Sequence, residues 1–228
     1  MIEVEVRSWL HPSMQKNVQE KVSQMRRLRA GASLDTYFGT SEFAFLCHPQ
    51  MIFFRVREEH FLQIKYDAAG VQRQPPPCIE REFFLYGDQV PDEVHLLMQS
   101  LFPAWKAASS WQELLRANRL EEQVRIDKYR RVYQDGPVIV CLDEVARLGH
   151  FIEVEINCPE GSAIDEAQAQ VNAYLAALGG TSLKAGYVEM WLYYHHHEAY
   201  QFIPERFRVE EHLLPTHIWR EQANKADR

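Results

Sequence analysis

Between Val124 and Asn157, charged side chains recur at strand spacing on faces that an ordinary sheet fills with apolar ones, and this pattern restricts the fold more than any other in the chain. Glu153 and Glu155 alternate with Ile152, Val154 and Ile156. Because side chains on a strand switch faces at each residue, both carboxylates point one way and the aliphatics the other. Met1 to Ser8 repeats the arrangement, with Glu3, Glu5 and Arg7 set against Ile2, Val4 and Val6. Two strands with one ionic and one apolar face, far apart in the sequence, predict a site that both of them line.

The rest of the chain supplies more strands and three helical insertions. The first strand, Ile2 to Trp9, ends at His11-Pro12. Ser13 is placed to cap a helix from Met14 to about Arg29, in which Met14, Val18, Val22, Met25 and Leu28 recur at helical spacing, with Gly31 as its stop. A short strand over Leu34 to Thr40 carries Asp35, and a hairpin over Met51 to Asp67 turns around Glu58 to His60. Arg55 and Arg57 share one face of its first arm, and Gln63 and Lys65 share one face of its second. Pro75, Pro76 and Pro77 read as a stiff loop, since proline cannot donate to a ladder. A fifth strand, Cys78 to Tyr86, puts Glu80, Glu82 and Phe84 on one face. From Pro91 to Asn118 the apolar period becomes helical, which predicts two short helices on an outer face. Strands over Val124 to Tyr133 and Val138 to Glu144 flank Asp135-Gly136, a strong hairpin signal, and an eighth strand covers His150 to Asn157. A further helix runs from about Ala163 to Leu178, capped by Ser162 and stopped by Gly179-Gly180. Tyr187 to Tyr194 reads as one more strand or an edge extension.

With 228 residues, 46% of them hydrophobic, the chain can bury one sizeable core. A single domain over 1–220 with a frayed polar tail at 221–228 is expected. Cys47, Cys78, Cys141 and Cys158 are widely spaced, so the expectation is reduced thiols rather than a disulfide framework or a structural zinc site. The N-terminus has no signal-peptide character, and no apolar run reaches the ~18 residues of a membrane span. These features predict a cytoplasmic protein without membrane association. A formal net charge of −7 disfavours a general nucleic-acid binder, which needs basic patches to neutralise phosphates.

Eight antiparallel strands can close into a barrel, so the expected class is mainly β (α+β): an eight-stranded antiparallel closed barrel with helices packed on the outside. With the ionic faces turned inward, the interior would hold the carboxylates Glu3, Glu5, Glu82, Asp143, Glu153 and Glu155 and the cations Arg7, Arg55, Arg57, Lys65, Lys128 and Arg130. Such an interior is tolerable only if it is wet or holds ions and a charged ligand. Arg and Lys suit phosphate oxygens, while carboxylate clusters suit Mg2+ or Mn2+ through hard oxygen donors. Parity leaves two choices open. Lys128 and Arg130 compete with Arg125, Asp127 and Arg131 for the inward face, and Asp143 competes with Glu144. His195-His196-His197 is expected to be an exposed or edge tract rather than a metal site.

Together these residues resemble the CYTH domain, the family of triphosphate tunnel metalloenzymes that includes class IV adenylyl cyclases and thiamine triphosphatases. The resemblance is carried by EVEVR at Glu3 to Arg7, matching the family's ExExK, and by YFGT at Tyr37 to Thr40. It continues through FRVR at Phe54 to Arg57, IKY at Ile64 to Tyr66, REFF at Arg81 to Phe84 and KYRRVY at Lys128 to Tyr133. LDEV at Leu142 to Val145 and LGHFIEVE at Leu148 to Glu155 complete it, in the family's order and over most of the chain.

The resemblance implies a tunnel that binds a triphosphate-containing small molecule such as tripolyphosphate, ATP or thiamine triphosphate. Mg2+ or Mn2+ would sit at Glu3, Glu5, Glu82, Asp143, Glu153 and Glu155, and phosphate at Arg55, Arg57, Lys65, Lys128 and Arg130. Glu5 and Arg7 would stand at the reacting centre. The family motif ends in a lysine associated with water activation, whereas Arg7 stays protonated at any usual pH; here it can bind phosphate or orient a water but cannot serve as a base. The implied activity is metal-dependent hydrolysis of a triphosphate. Its alternatives are a class IV adenylyl cyclase, which converts ATP to cyclic AMP and pyrophosphate, and a non-catalytic sensor of polyphosphate or nucleotide with Arg7 as a clamp. The insertion at Pro91 to Asn118 would either cover a tunnel mouth or form the interface of a homodimer.

Overall fold

A computed structural model describes residues 2–58, 60–67, 78–159 and 164–214. Among them are eight strands: β1 (Ile2–Trp9), β2 (Arg26–Thr40), β3 (Phe53–Arg57), β4 (Phe61–Asp67), β5 (Cys78–Phe84), β6 (Leu120–Asp135), β7 (Val138–Val145) and β8 (Gly149–Cys158). All neighbours pair antiparallel, and the sheet closes in the order β1-β5-β4-β3-β2-β6-β7-β8. Closure brings the two ends of the strand sequence together, so that Glu5 lies opposite Glu155 and Arg7 opposite Glu153.

The outer faces carry the aliphatics and are covered by helices. On one side, Val4 and Val6 of β1, Val140 of β7, and Ile152 and Val154 of β8 pack under α1 (Gln15–Val22) and α4 (Ile164–Ala177), which contribute Val18, Val171 and Leu175. None of these eight side chains is more than 1% exposed. Burying each is worth ~1.5–3 kcal/mol, an upper range because the unfolded chain already hides some of this surface. On another side, Phe54, Leu62 and Ile64 of the β3–β4 hairpin meet Val94 and Met98 of α2 (Asp92–Leu101) and Leu114 of α3 (Trp111–Asn118). These are the two short helices expected from the periodicity of that stretch. The helices hide the apolar surface from outside, which leaves the charged faces to line the interior.

A third cluster closes the arrangement differently. Here α5 (Tyr187–His195), α6 (His197–Tyr200) and Phe207 pack with Trp9, Tyr37, Phe53, Ile126, Val145 and Phe151. Those partners come from six different strands, so this segment lies across an end of the barrel rather than along one wall. Tyr187 to Tyr194 is therefore helical, which corrects the strand reading. Its aromatics resemble a strand in composition, but Tyr187, Val188, Met190 and Leu192 bury against the barrel at helical spacing. The three histidines serve separate local roles: His195 ends α5, His196 accepts a hydrogen bond from Ala199 N at 3.2 Å as the cap of α6, and His197 begins α6.

The first helix is also shorter than expected. His11, rather than Ser13, is the capping side chain, its Nδ1 accepting from Ser13 N at 3.2 Å at a single 3-10 turn over Pro12–Met14. The helix ends at Val22 and β2 begins at Arg26, absorbing Leu28, Gly31 and the short strand expected over Leu34 to Thr40. A ladder with β6 from Arg26 to Thr40 outweighs helical spacing at Met25 and Leu28. The proline loop at 75–77, the Ser162 cap and the polar tail lie outside the described residues. No helix among the described residues is long and apolar enough to cross a membrane.

Candidate active site inside the barrel

Alternation places Glu3, Glu5 and Arg7 on the inner face of β1, and the same rule turns Arg55 and Arg57 of β3, Lys65 of β4, and Glu153 and Glu155 of β8 inward. The parity left open on β6 resolves to Lys128 and Arg130, while Arg125, Asp127 and Tyr129 face out. All of these inward residues, together with Glu80 and Glu82, line one cavity of about 440 Å³.

On one wall the cations converge on Asp35, which is fully buried. It accepts from Arg57 Nε at 2.6 Å and Nη2 at 3.0 Å, and stands 3.4 Å from Arg55 Nη1 and 3.6 Å from Lys128 Nζ. Burial by itself would raise its pKa, but Arg55, Arg57 and Lys128 outweigh that and hold the carboxyl well below the ordinary range. Arg55 is steadied further by Gln63 at 2.8 Å, the Tyr37 hydroxyl at 2.9 Å and Glu80 at 3.4 Å. Lys128, which is 5% exposed, is pushed down to about 8 by burial and by neighbouring Arg130, only partly offset by Asp35, Asp143 and Glu153.

Asp143 anchors a second cluster. It accepts from Arg130 Nε at 2.7 Å and Nη2 at 2.5 Å, and from the Tyr187 hydroxyl at 2.8 Å. Arg130 also reaches Glu153, which accepts from Arg7 Nε at 2.5 Å. Burial would raise the Glu153 carboxyl, yet Arg130, Arg7 and Lys128 keep it well below its ordinary value. Arg7 loses solvation on burial, but Glu153 and Glu5 more than restore the preference for charge. Arg7 is thus a fixed cation.

The third group is acidic. Glu3, Glu5 and Glu155 each offer a carboxylate oxygen, and these oxygens lie within 4.8 Å of one another. Lys65 Nζ stands 3.0 Å from Glu3 and 2.9 Å from Glu5. Glu155 has no hydrogen-bond or ion-pair partner among the described residues, and burial together with the nearby charge of Glu3 raises its pKa well above normal. Three hard oxygen donors, one of them without a hydrogen bond or ion pair and eased only by the more distant charge of Arg130, fit a divalent cation of the Mg2+ or Mn2+ type.

Of the six carboxylates expected as metal ligands, the structure gathers Glu3, Glu5 and Glu155. It engages Asp143 and Glu153 with arginines, and sets Glu82 against the Gln63 amide. The five cations expected to bind phosphate all face the cavity. Sequence reasoning gave no role to Asp35, Tyr37, Glu80, Tyr187 or Glu189. Asp35 and Tyr37 share parity on β2, which was a usable signal; Tyr187 and Glu189 sit on α5, where strand parity has no meaning.

A closed antiparallel barrel with a cationic and acidic interior defines a class of anion-binding tunnels. The sequence model of the CYTH domain matches residues 1–185, and the chain belongs to the CYTH family. Solved structures of similar fold include the PH1819 protein of Pyrococcus horikoshii, at 22% identity and a TM-score of 0.59, covering 84% of this chain and 98% of that one. A candidate adenylate cyclase from Vibrio parahaemolyticus matches at 13% identity and a TM-score of 0.53, covering 83% of this chain and 97% of that one. A candidate adenylyl cyclase from Hippeastrum, described as having a dominant triphosphatase activity, matches at 13% identity and a TM-score of 0.51, covering 84% and 94% respectively. At these identities the likeness is one of fold. No curated protein matches by sequence.

Proposed function

We propose that this chain hydrolyses the triphosphate group of inorganic tripolyphosphate or of an organic triphosphate, assisted by Mg2+ or Mn2+. One observation carries the reading: Arg55, Arg57, Lys65, Lys128 and Arg130 share a single cavity of about 440 Å³ with the carboxylate trio Glu3, Glu5 and Glu155. A linear triphosphate has the charge to engage those cations together, and a divalent ion relieves its repulsion from the trio. Membership of the CYTH family, and the triphosphatase activity named for the Hippeastrum protein, support the same chemistry.

The chain's own residues divide the work. Arg55 and Arg130 have planar donor forks suited to phosphate oxygens, and both are held in place by neighbours rather than free to reorient. Arg57 and Lys128, tied to Asp35, add positive charge where the bridging and terminal oxygens would lie. Glu3, Glu5 and Glu155 would hold the metal, which supplies Lewis-acid stabilisation of charge on the transferring phosphoryl group. Arg7 remains charged and orients Glu153. The charges are placed before substrate arrives, so little reorganisation accompanies the reaction.

The test is a phosphorus NMR product profile with tripolyphosphate and, separately, ATP, each with Mg2+ or Mn2+. The expected result is orthophosphate and pyrophosphate from tripolyphosphate, abolished in Glu155→Gln with its thermal melting no lower than the parent's. Pyrophosphate with cyclic AMP from ATP would instead make the protein a cyclase. Tight binding of every triphosphate without turnover would make it a sensor and sink the hydrolase reading.

A further inference from the structure

Tyr187 is the first residue of α5, two positions past the end of the region matched by the family model, yet it touches more of the cationic machinery than any other uncharged side chain described above. Its ring lies 4.4 Å from Arg7 Cζ and 5.4 Å from Lys128 Nζ, measured to the centroid. Its hydroxyl donates to Asp143 Oδ2 at 2.8 Å, on the same carboxylate that holds Arg130. Phe151 meets the ring edge-on at 5.2 Å and 69° between planes, and only 6% of Tyr187 is exposed. The ring is therefore fixed in orientation by packing on one side and a hydrogen bond at its tip.

Two cations near one ring repel each other and would relax apart, or fold onto the nearest carboxylates, if nothing attracted them to that spot. The negative face of an aromatic ring supplies such an attraction, and it is strongest where water is excluded. Without the ring, Arg7 would be held by Glu153 and Glu5 alone, and Lys128 by Asp35 alone.

We propose that Tyr187 is a positioning residue for the polyanion site, with its ring holding Arg7 and Lys128 toward the cavity and its hydroxyl fixing Asp143 and through it Arg130. This rests on the reading that the cavity binds a triphosphate. Tyr187 acts through these side chains and takes no part in bond making itself. The segment 187–214 thus closes the barrel and also sets the spacing of its charges.

The test compares Tyr187→Phe, which keeps the ring, with Tyr187→Leu, which removes it. Tripolyphosphate affinity is measured by calorimetry, KM and kcat with Mg2+ by phosphate release, and folding by thermal melting. Tyr187→Leu is expected to weaken Kd and raise KM about tenfold, equivalent to about 1.4 kcal/mol, with kcat changed less than threefold. Tyr187→Phe, which keeps the ring and loses only the hydroxyl's hold on Asp143, should raise KM by a smaller factor, about threefold. A purely structural role would lower the melting temperature and the active fraction and leave KM alone. A second readout does not depend on the ligand: the Arg7 side-chain protons should show upfield ring-current shifts in the parent and in Tyr187→Phe that vanish in Tyr187→Leu. Absent ring-current shifts, or an unchanged KM in folded Tyr187→Leu, would overturn the proposal alone. A parent protein that binds no tripolyphosphate would overturn the proposed function and this proposal together.

Discussion

Glu189 offers the most direct check on the electrostatics of the barrel interior. It lies on α5, is 4% exposed and lines the cavity. Burial pushes its pKa from 4.5 to about 7, against the opposing pull of its own backbone N–H, of Arg7 and of Gly186 N–H; Glu5 on β1 adds to the rise. Asp67 on β4 also faces it and is itself pushed up to about 7, by burial first. The sign follows from linkage. A carboxyl whose folded pKa is raised is least costly when protonated, so its contribution to stability is intact below 4.5 and is lost as pH rises through about 7. The rise from 4.5 to about 7 corresponds to about 3 kcal/mol of destabilisation at pH 8.5. Glu189→Gln removes the charge at all pH values, so urea denaturation should show it more stable than the parent by about 3 kcal/mol at pH 8.5 and nearly equal to it at pH 4.5. Equal differences at the two pH values would refute the reasoning, because a packing effect has no reason to follow proton binding.

Two further outcomes follow from the cationic wall. Asp35→Asn leaves Arg57, Arg55 and Lys128 without their shared partner and should cost about 3–5 kcal/mol in urea denaturation, with tripolyphosphate recovering part of it; a loss under about 1 kcal/mol would show that the hub is dispensable. Lys128 is held near a pKa of about 8, so above that pH the protein loses one positive charge that a bound polyanion would restore. Calorimetry between pH 7 and 9.5 should then show tripolyphosphate affinity falling more steeply for the parent than for Lys128→Arg, by up to about tenfold per pH unit, and parallel profiles would contradict the lowered pKa.

What was legible in the sequence follows from how each element is stabilised. On β1 and β8 the alternation is complete, because one face must be apolar to meet α1 and α4 while the other is bare of helices; parity alone therefore placed Glu3, Glu5, Arg7, Glu153 and Glu155. On β6, charges occupy both faces, since Arg125 and Asp127 face outward opposite Lys128 and Arg130, and only the closed sheet distinguishes them. The stretch from Arg26 to Gly31 carries helical spacing by coincidence, and its strand state depends on β6, which lies some hundred residues away. The aromatics of α5 gave no hint of a helix across the barrel end, because the surface that selects that conformation is assembled from six strands.

Cross-strand pairing shows why the acidic trio stands apart from the other charges. Arg7 lies directly opposite Glu153, Arg130 opposite Asp143 and Arg57 opposite Asp35, so in each case the register places a cation beside an anion. Glu5 opposite Glu155 breaks that rule, with two carboxylates side by side on neighbouring strands. Like charges so placed are destabilising, and this pair stands out among cross-strand neighbours that elsewhere join a cation to an anion. Lys65 reaches Glu5 and Glu3 but leaves Glu155 without a partner among the described residues. A like-charge register of this kind is the sort of local conflict that functional sites carry. A divalent cation between Glu3, Glu5 and Glu155 would turn the repulsive pair into a shared ligand set, which is the ground for proposing the metal there rather than at Asp143 and Glu153, whose carboxylates are engaged by arginines.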